Sequence, residues 1–183
     1  MKALFPIALL VCCSLAHAEE MTIEASQAIL GVKMQIKEFQ KHVPLPVVFP
    51  KTLPLSSKIH NAYFHAPDKN QYEIILSEQK DCRGEKYCTL ARMTAVKGAY
   101  PMIYYSMDHV ELTERVQFTA DIAGYYTPSF AIGSTTPAQL SFRCENVLYT
   151  LAWHLGSNAE AKSTLERLAK EIIESEPTCT YHR

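Results

Sequence analysis

Residues Gln139–Glu174, QLSFRCENVLYTLAWHLGSNAEAKSTLERLAKEIIE, contain the pattern that decides the fold. Two runs of alternating apolar and polar residues come first, and successive side chains of a strand point to opposite faces, so the alternation predicts two strands. A two-residue turn at Glu145 and Asn146 would place the apolar residues of both strands on one face. The expected cross-strand pairs are Cys144 with Val147, Phe142 with Tyr149, and Leu140 with Leu151.

An amphipathic helix is predicted directly after this hairpin. Ser157 or Asn158 can cap its first turn, and Pro177 ends it. A helix with one apolar stripe, next to a strand face that is also apolar, packs on the sheet. A membrane-binding or partner-docking role for the stripe is the alternative. The residues that recur at helical spacing are Ala161, Leu165, Leu168, Ala169, Ile172 and Ile173.

The first 18 residues have the pattern of a secretory signal peptide. Lys2 precedes the apolar run ALFPIALLVCCSLA, and the small-x-small sequence Ala16-His17-Ala18 follows it. Cleavage after Ala18 would remove 18 of the 183 residues and leave 165, which is enough for one globular domain over residues 19–183. No later stretch approaches the roughly 20 apolar residues of a membrane span. We therefore expect a periplasmic or secreted protein without a transmembrane segment.

The charge balance argues against several classes of partner. Without Lys2, the mature chain has 17 basic and 19 acidic residues, a net charge of −2. A nucleic-acid or anionic-membrane surface needs a concentration of Lys and Arg, and the sequence contains no basic cluster. It also contains no glycine-rich phosphate loop. We predict no nucleic-acid partner and no cofactor.

The cysteines of the mature chain predict two disulfides. Cys12 and Cys13 leave with the signal peptide, and an even number of cysteines in an exported protein usually means disulfides. Three pairings are open, and we favour the one that closes the turn DCRGEKYC and ties the tail to the hairpin. Zinc and redox chemistry are the alternatives, but the spacing of the first pair is neither Cys-x-x-Cys nor that of a zinc knuckle, so no metal site is predicted. The favoured pairs are Cys82 with Cys88 and Cys144 with Cys179.

The rest of the chain completes an α+β domain. Apolar residues at helical spacing predict an N-terminal helix within Met21–Val43, and a proline-rich extended segment follows it. Further strands are predicted from residue 58, over Gln71–Ser77, over Cys88–Val96 and over Val110–Thr119. We expect a mostly antiparallel sheet of five or six strands, with the N-terminal helix and the C-terminal amphipathic helix packed on it and disulfides stabilising the domain.

The order of these features resembles that of exported bacterial proteins of unknown function. A proline-rich entry leads to a strand, a D-C-x5-C turn and a second strand; the sequence G-Y-Y-T-P, a hairpin and a terminal helix follow. The resemblance covers about Pro50 to Ile173. It implies secretion, disulfides and this fold, but no activity and no catalytic residue can be carried over from it.

Aromatic residues are the strongest candidates for a binding site. Two stretches with turn residues, GAYPMIYYS and AGYYTPSF, read as loops, and tyrosines on loops offer a large contact area with little loss of entropy. We predict that the two stretches form a recognition surface for an envelope or extracellular protein, peptide or glycan. The alternative is that they pack over the edge of the sheet. The candidate residues are Tyr100, Tyr104, Tyr105, Tyr125, Tyr126 and Phe130.

Motifs for catalysis are few. His65 lies near Asp68, and His109 follows an aspartate, but neither histidine belongs to a nucleophile motif. The sequence has no G-x-S-x-G elbow and no H-E-x-x-H pair, so no catalytic residue is assigned. We predict a non-catalytic binding module of the accessory, sensor or inhibitor type. The alternative is a small exported hydrolase that uses His65, Asp68 or His109.

Overall fold

The computed structural model describes residues 32–53, 59, 61–79, 82, 88–132, 134–154 and 157–180. The predicted signal peptide and its cleavage site lie outside these residues, as do residues 21–31 of the range predicted for the N-terminal helix. Helix α1 spans 32–40, within the range predicted from the apolar spacing. In the ranges above, no helix is both long and apolar enough to cross a membrane.

Seven strands form one sheet in which every neighbouring pair is antiparallel, in the order β1-β2-β3-β9-β8-β5-β4. Strands β6 and β7 pair with each other in a separate hairpin. The strands are β1 (Asn61–Asp68), β2 (Gln71–Ser77), β3 (Thr89–Lys97), β4 (Glu114–Gln117), β5 (Ala123–Thr127), β6 (Phe130–Ile132), β7 (Ser134–Thr136), β8 (Ala138–Cys144) and β9 (Val147–Trp153).

The hairpin predicted from Gln139–Glu174 is confirmed in its register. Cys144 pairs with Val147, Phe142 with Tyr149, and Leu140 with Leu151. Glu145 in the turn has a φ of 51°, the left-handed conformation that tight hairpin turns require. Because the register matches, the apolar side chains of β8 and β9 form one buried face at the centre of the sheet.

Helix α2 (Asn158–Ser175) packs on that face, as predicted. The Ser157 hydroxyl accepts a hydrogen bond from the Glu160 backbone N–H at 3.3 Å and caps the first turn. A short helix, α3 (Pro177–Thr180), follows α2. All six residues of the predicted apolar stripe are buried: Ala161, Leu165, Leu168, Ala169, Ile172 and Ile173.

The expected count of five or six strands is wrong, because the main sheet has seven. The additional strand is β5, whose sequence AGYYT begins with small residues and precedes Pro128, so that it reads as a turn. Position 124 of this strand is a glycine because a larger residue would collide with Phe118. A Cβ atom added there would lie 2.5 Å from the Phe118 Cε2 atom. The strand predicted over Val110–Thr119 is also shorter than expected, since only Glu114–Gln117 joins the sheet, while Glu111 forms an isolated bridge with Tyr105.

Both favoured disulfides are confirmed. The Cα atoms of Cys82 and Cys88 are 5.8 Å apart, and those of Cys144 and Cys179 are 4.6 Å apart. The second bridge joins α3 to β8, so the chain beyond α2 is tied back to the central hairpin. By loop-entropy estimates the two bridges contribute about 2 and about 4 kcal/mol to stability.

The proline-rich segment packs on the same side of the sheet as α2. Val43, Leu45 and Val48 are buried in the core. The Tyr72 hydroxyl accepts a hydrogen bond from the Val48 N–H at 3.0 Å and donates one to the Pro46 carbonyl at 3.0 Å. The proline-rich segment is not part of a helix or sheet, so these bonds supply hydrogen-bond partners for backbone groups that would otherwise lack them.

The opposite face of the sheet carries polar side chains together with a few buried apolar ones, Ile75, Leu148 and Ala152. Ser141 and Thr150 are cross-strand neighbours there, with their hydroxyl oxygens 2.9 Å apart. The alternation of buried and half-buried residues along β3 and β8 is that of a sheet covered by helices on one face only. One row of neighbours crosses all seven strands: His65, Glu73, Thr94, Thr150, Ser141, Tyr125 and Arg115.

Candidate recognition surface

The loop between β3 and β4, residues 98–113, folds back on itself as a narrow turn. The Leu112 N–H donates to the Tyr104 carbonyl at 2.8 Å, and the Ser106 N–H donates to the Val110 carbonyl at 2.8 Å. The His109 N–H donates to the Ser106 carbonyl at 3.0 Å. Backbone hydrogen bonds therefore fix the path of what we call the β3–β4 loop.

The tip of the β3–β4 loop is a tight turn with a specific conformation. His109 has a φ of 59°, in the left-handed region in which histidine is enriched among non-glycine residues. The Ser106 hydroxyl accepts a further hydrogen bond from the Val110 N–H at 3.1 Å. The tip is thus held by side-chain and backbone bonds together.

The end of the loop is anchored on β5. The Thr113 hydroxyl accepts a hydrogen bond from the Tyr104 N–H at 3.0 Å and lies 3.0 Å from the Thr127 hydroxyl. Both threonines are buried. The Tyr104 ring packs on Phe130, with 5.5 Å between the ring centres.

The start of the loop is anchored on the central hairpin. The guanidinium carbon of Arg143, in β8, lies 4.5 Å from the centre of the Tyr100 ring. The Nη2 atom of Arg143 also donates to the Asn146 side-chain oxygen at 2.7 Å. Arg143 and Thr127 alternate with residues that face α2, so both anchors lie on the sheet face away from the helix.

Among the residues that the structure describes, the β3–β4 loop carries most of the exposed large apolar side chains. Seven large apolar residues are exposed in the described part of the chain, and five of them belong to this loop. Single exposed apolar residues are normal, whereas a group of them on one loop marks an interaction site. The five residues and their exposed fractions are Tyr100 (74%), Met102 (65%), Tyr105 (53%), Met107 (80%) and Val110 (61%).

The structure separates the six aromatic candidates into three settings. Tyr100 and Tyr105 are exposed on the β3–β4 loop. Tyr104 and Phe130 come from the two different stretches, and they meet as a half-buried pair. Tyr125 and Tyr126 lie in β5 rather than in a loop.

Tyr126 faces α2 and is only 4% exposed. Its hydroxyl donates to the Asn158 carbonyl at 2.9 Å, at the first turn of α2. Burial, and then the neighbouring Glu114 carboxylate, raise the pKa of Tyr126. This tyrosine therefore supports the packing of α2, whereas Tyr125 lies on the opposite face of the sheet.

Sequence reasoning missed three residues of the exposed group. The prediction named only aromatic residues, so Met102 was left out although it is in the first stretch; Met107 lies outside both stretches, and Val110 was assigned to a strand. The available signal was the turn Met107-Asp108-His109 between apolar residues, which places Met107 at a solvent-exposed tip. Only the backbone bonds of the β3–β4 loop show that Val110 belongs to the same surface.

The three residues of the hydrolase alternative have separate roles. The His65 ring stacks on Tyr63, with 6.2 Å between the ring centres. The Asp68 carboxylate accepts a hydrogen bond from the Asn70 N–H at 2.6 Å and closes the turn between β1 and β2. His109 is at the tip of the β3–β4 loop. Within the described ranges, no hydrogen bond or ion pair joins any two of His65, Asp68 and His109.

Groups of three or more His, Cys, Asp or Glu residues arranged to hold a metal ion do not occur among the residues that the structure describes.

Comparison of the chain with protein-family models, with curated proteins and with solved structures gives no match in any of the three.

Proposed function

We propose that the protein is an exported, non-catalytic binding module that docks to a protein partner through the β3–β4 loop. The observation that carries the proposal is the exposure of five apolar side chains on one loop, among them Tyr105 and Met107. Aromatic residues and methionine are enriched at protein interfaces and supply a large share of the binding energy there.

The fixed backbone of the loop supports a role in binding. Docking a flexible loop costs the entropy of ordering it, and a loop that is already ordered avoids that cost. Here the bonds of Leu112 to Tyr104 and of Ser106 to Val110 hold the loop before any partner arrives. The exposed side chains are therefore presented by a loop whose backbone is already ordered.

The charges on the loop favour a protein over a lipid surface or a nucleic acid. Asp108 and Glu111 are exposed beside the apolar residues, and residues 98–113 contain no Lys or Arg. Anionic headgroups and phosphates would be repelled by these carboxylates. The matching surface is an apolar pocket with basic residues at its rim, which a protein can provide.

Export is supported by two observations of different kinds. The first 18 residues have the pattern of a signal peptide. The fold contains the bridges Cys82–Cys88 and Cys144–Cys179, and disulfides persist in the periplasm and outside the cell. The mass of the protein purified from the periplasm or medium tests export: a chain starting at Glu19 is expected, and a chain that retains Met1 would contradict it.

Site-specific photocrosslinking tests the docking surface in the cells that express the protein. A benzophenone side chain at position 107 is expected to capture a partner protein. The same group at position 34 is the control, because Met34 is 66% exposed but lies on α1. Capture at position 107 alone supports the proposal, and equal capture at both positions contradicts it.

The partner that is captured then allows an affinity measurement. Met107→Asp and Tyr105→Ala are expected to weaken binding of the purified partner at least tenfold, the range of interface hot spots. Met34→Asp places the same charge on another exposed methionine and should leave the Kd unchanged. Unchanged affinity in the two loop variants, with unchanged melting temperatures, would overturn the proposal.

A further inference from the structure

A cavity of about 750 Å³ lies beside the Cys144–Cys179 disulfide. Its walls come from the β4–β5 turn at Thr119–Ile122, from the β8–β9 turn, and from the end of α2 together with α3. This volume is within the range of sites that hold small molecules. None of the residues that line the cavity belongs to the β3–β4 loop, so the proposed docking does not account for it.

The floor of the cavity is apolar. Ile122 and Ile173 line it, and their exposed fractions are 7% and 3%. The two cysteines of the disulfide also line it, and both are buried. A ligand with a hydrocarbon body would therefore remove mainly its own apolar surface from water, because the apolar side chains that line the cavity are already nearly buried.

The rim of the cavity is mainly acidic. The lining residues include three carboxylates, Asp121, Glu145 and Glu174, and one cation, Arg143, which gives a net charge of −2. The Arg143 guanidinium is already engaged by the Tyr100 ring and by the Asn146 side chain.

The carboxylates at the rim have few ion-pair partners. Glu174 has a long ion pair with Lys170 at 3.9 Å. Asp121 and Glu145 form no ion pair with another described residue. Most of the negative charge at the rim is thus available to a ligand.

The end of α2 adds to this negative potential. The C-terminal end of a helix carries a partial negative charge, which basic residues in the last turn usually offset. The last turn of α2 has no basic residue and contains Glu174, and the residue that caps it is Glu176. The cavity therefore combines an apolar floor, a net negative rim and a helix end of the same sign.

We propose that this cavity binds a small organic cation, an ammonium group on a compact hydrocarbon body. The hydrocarbon would cover Ile122, Ile173 and the disulfide, and the ammonium would lie between the carboxylates of Asp121 and Glu174. A neutral ligand would gain only the first contact, and an anion would be repelled by the rim.

Three probes of nearly equal size separate the two contributions. Benzylamine, benzyl alcohol and benzoate share an aromatic ring and differ in charge at pH 7. Titration of the oxidised protein, followed by backbone amide NMR shifts, is expected to show saturable shifts at residues 119–122 and 173–179 with benzylamine. Weaker shifts are expected with benzyl alcohol and none with benzoate. Added salt should weaken the binding of benzylamine, because the rim is exposed.

Matched variants test the rim. Asp121→Asn and Glu174→Gln should each weaken benzylamine binding about two- to fivefold, the factor for one exposed charge pair. Glu111→Gln removes an exposed carboxylate from the β3–β4 loop and should leave the affinity unchanged. Equal affinity for benzylamine and benzyl alcohol, shifts outside the cavity, or no effect of the rim variants would each overturn the proposal. None of these results bears on docking through the β3–β4 loop, which the crosslinks at position 107 test separately.

Discussion

The guanidinium carbon of Arg143 lies 4.5 Å from the centre of the Tyr100 ring. This contact joins the start of the β3–β4 loop to strand β8. Arg143 is also among the residues that line the cavity beside the disulfide, so this one residue lies next to both places to which we assign a binding role. The contact is one of several that hold the loop, beside its backbone hydrogen bonds and the contact of Thr113 with Thr127.

A double-mutant cycle with Tyr100→Ala and Arg143→Ala measures the strength of the contact between the two residues. A cation over an exposed aromatic ring contributes about 0.5–1 kcal/mol, so we expect a coupling energy of that size in urea unfolding. The Arg143→Ala variant and the double variant both lose the bond from Arg143 to Asn146, so this loss cancels in the cycle. Tyr63→Ala is the control partner, because Tyr63 is on β1, four strands away from β8. Coupling of the same size with Tyr63 would mean that the Tyr100 contact is not specific.

The parts of the fold that sequence predicted correctly depend on neighbours close in the chain. The register of Cys144 with Val147 follows from a two-residue turn, and the buried stripe of α2 follows from helical spacing. The pairing of Cys144 with Cys179 was also accessible, because it ties the chain after the helix to the hairpin before it. Local periodicity suffices for such features.

The parts that sequence missed depend on distant contacts. Strand β5 contains Gly124, which reads as a turn residue until Phe118 is seen to pack against it. The β3–β4 loop is fixed by contacts of Thr113 with Thr127 and of Tyr100 with Arg143, which no spacing rule anticipates. For the same reason, the exposure of Val110 could not be predicted from the residues around it, whereas the turn Met107-Asp108-His109 was a local signal for the exposure of Met107.

Gly124→Ala should destabilise the protein because the space beside this residue is already filled. An added Cβ would lie 2.5 Å from Phe118 Cε2 and 3.3 Å from Leu140 Cδ1. Overpacking of this kind costs about 1–3 kcal/mol in the free energy of unfolding, measured by urea denaturation. Phe118→Ala should relieve the collision, so the double variant should lose less stability than the two single losses added together.

Gly98→Ala is the matched control for that experiment. No atom lies within 4 Å of a Cβ at this position, but Gly98 has a φ of +76°. We expect a loss of about 1–2 kcal/mol from backbone strain alone. Phe118→Ala should not reduce this loss. A rescue of Gly98→Ala by Phe118→Ala would show that the effect at Gly124 is not steric.

The two disulfides should differ in their contribution to stability. The bridge between Cys144 and Cys179 spans 35 residues and that between Cys82 and Cys88 spans six. Replacement of both cysteines of a pair by alanine should lower the free energy of unfolding by about 4 kcal/mol for the first and about 2 kcal/mol for the second. Urea unfolding of the two double variants checks the order. A larger loss from the shorter loop would contradict the view that the bridges act mainly on the unfolded chain.

Alkaline pH should unfold the protein through two buried tyrosines. Burial raises the pKa of Tyr72 and of Tyr149 well above the usual value. Below pH 10 both phenols are protonated in the folded and unfolded states, so their contribution to stability is fully present. Above pH 10 only the unfolded chain ionises, and each tyrosine should then lower the free energy of unfolding by about 1.4 kcal/mol per pH unit.

Substitution by phenylalanine separates the two residues. Tyr149→Phe should reduce the loss of stability above pH 10 by the contribution of one tyrosine, about 1.4 kcal/mol per pH unit. Its effect on stability at pH 7 should be small, because the Tyr149 hydroxyl is as far as 3.4 Å from the Pro46 carbonyl. Tyr72→Phe should have the same effect on the slope. It should also lose about 1–3 kcal/mol at pH 7, since the buried Val48 N–H loses its acceptor. Tyr63→Phe is the control, because Tyr63 is in β1 and its side chain is exposed. An unchanged slope in both core variants would mean that other groups cause the alkaline unfolding.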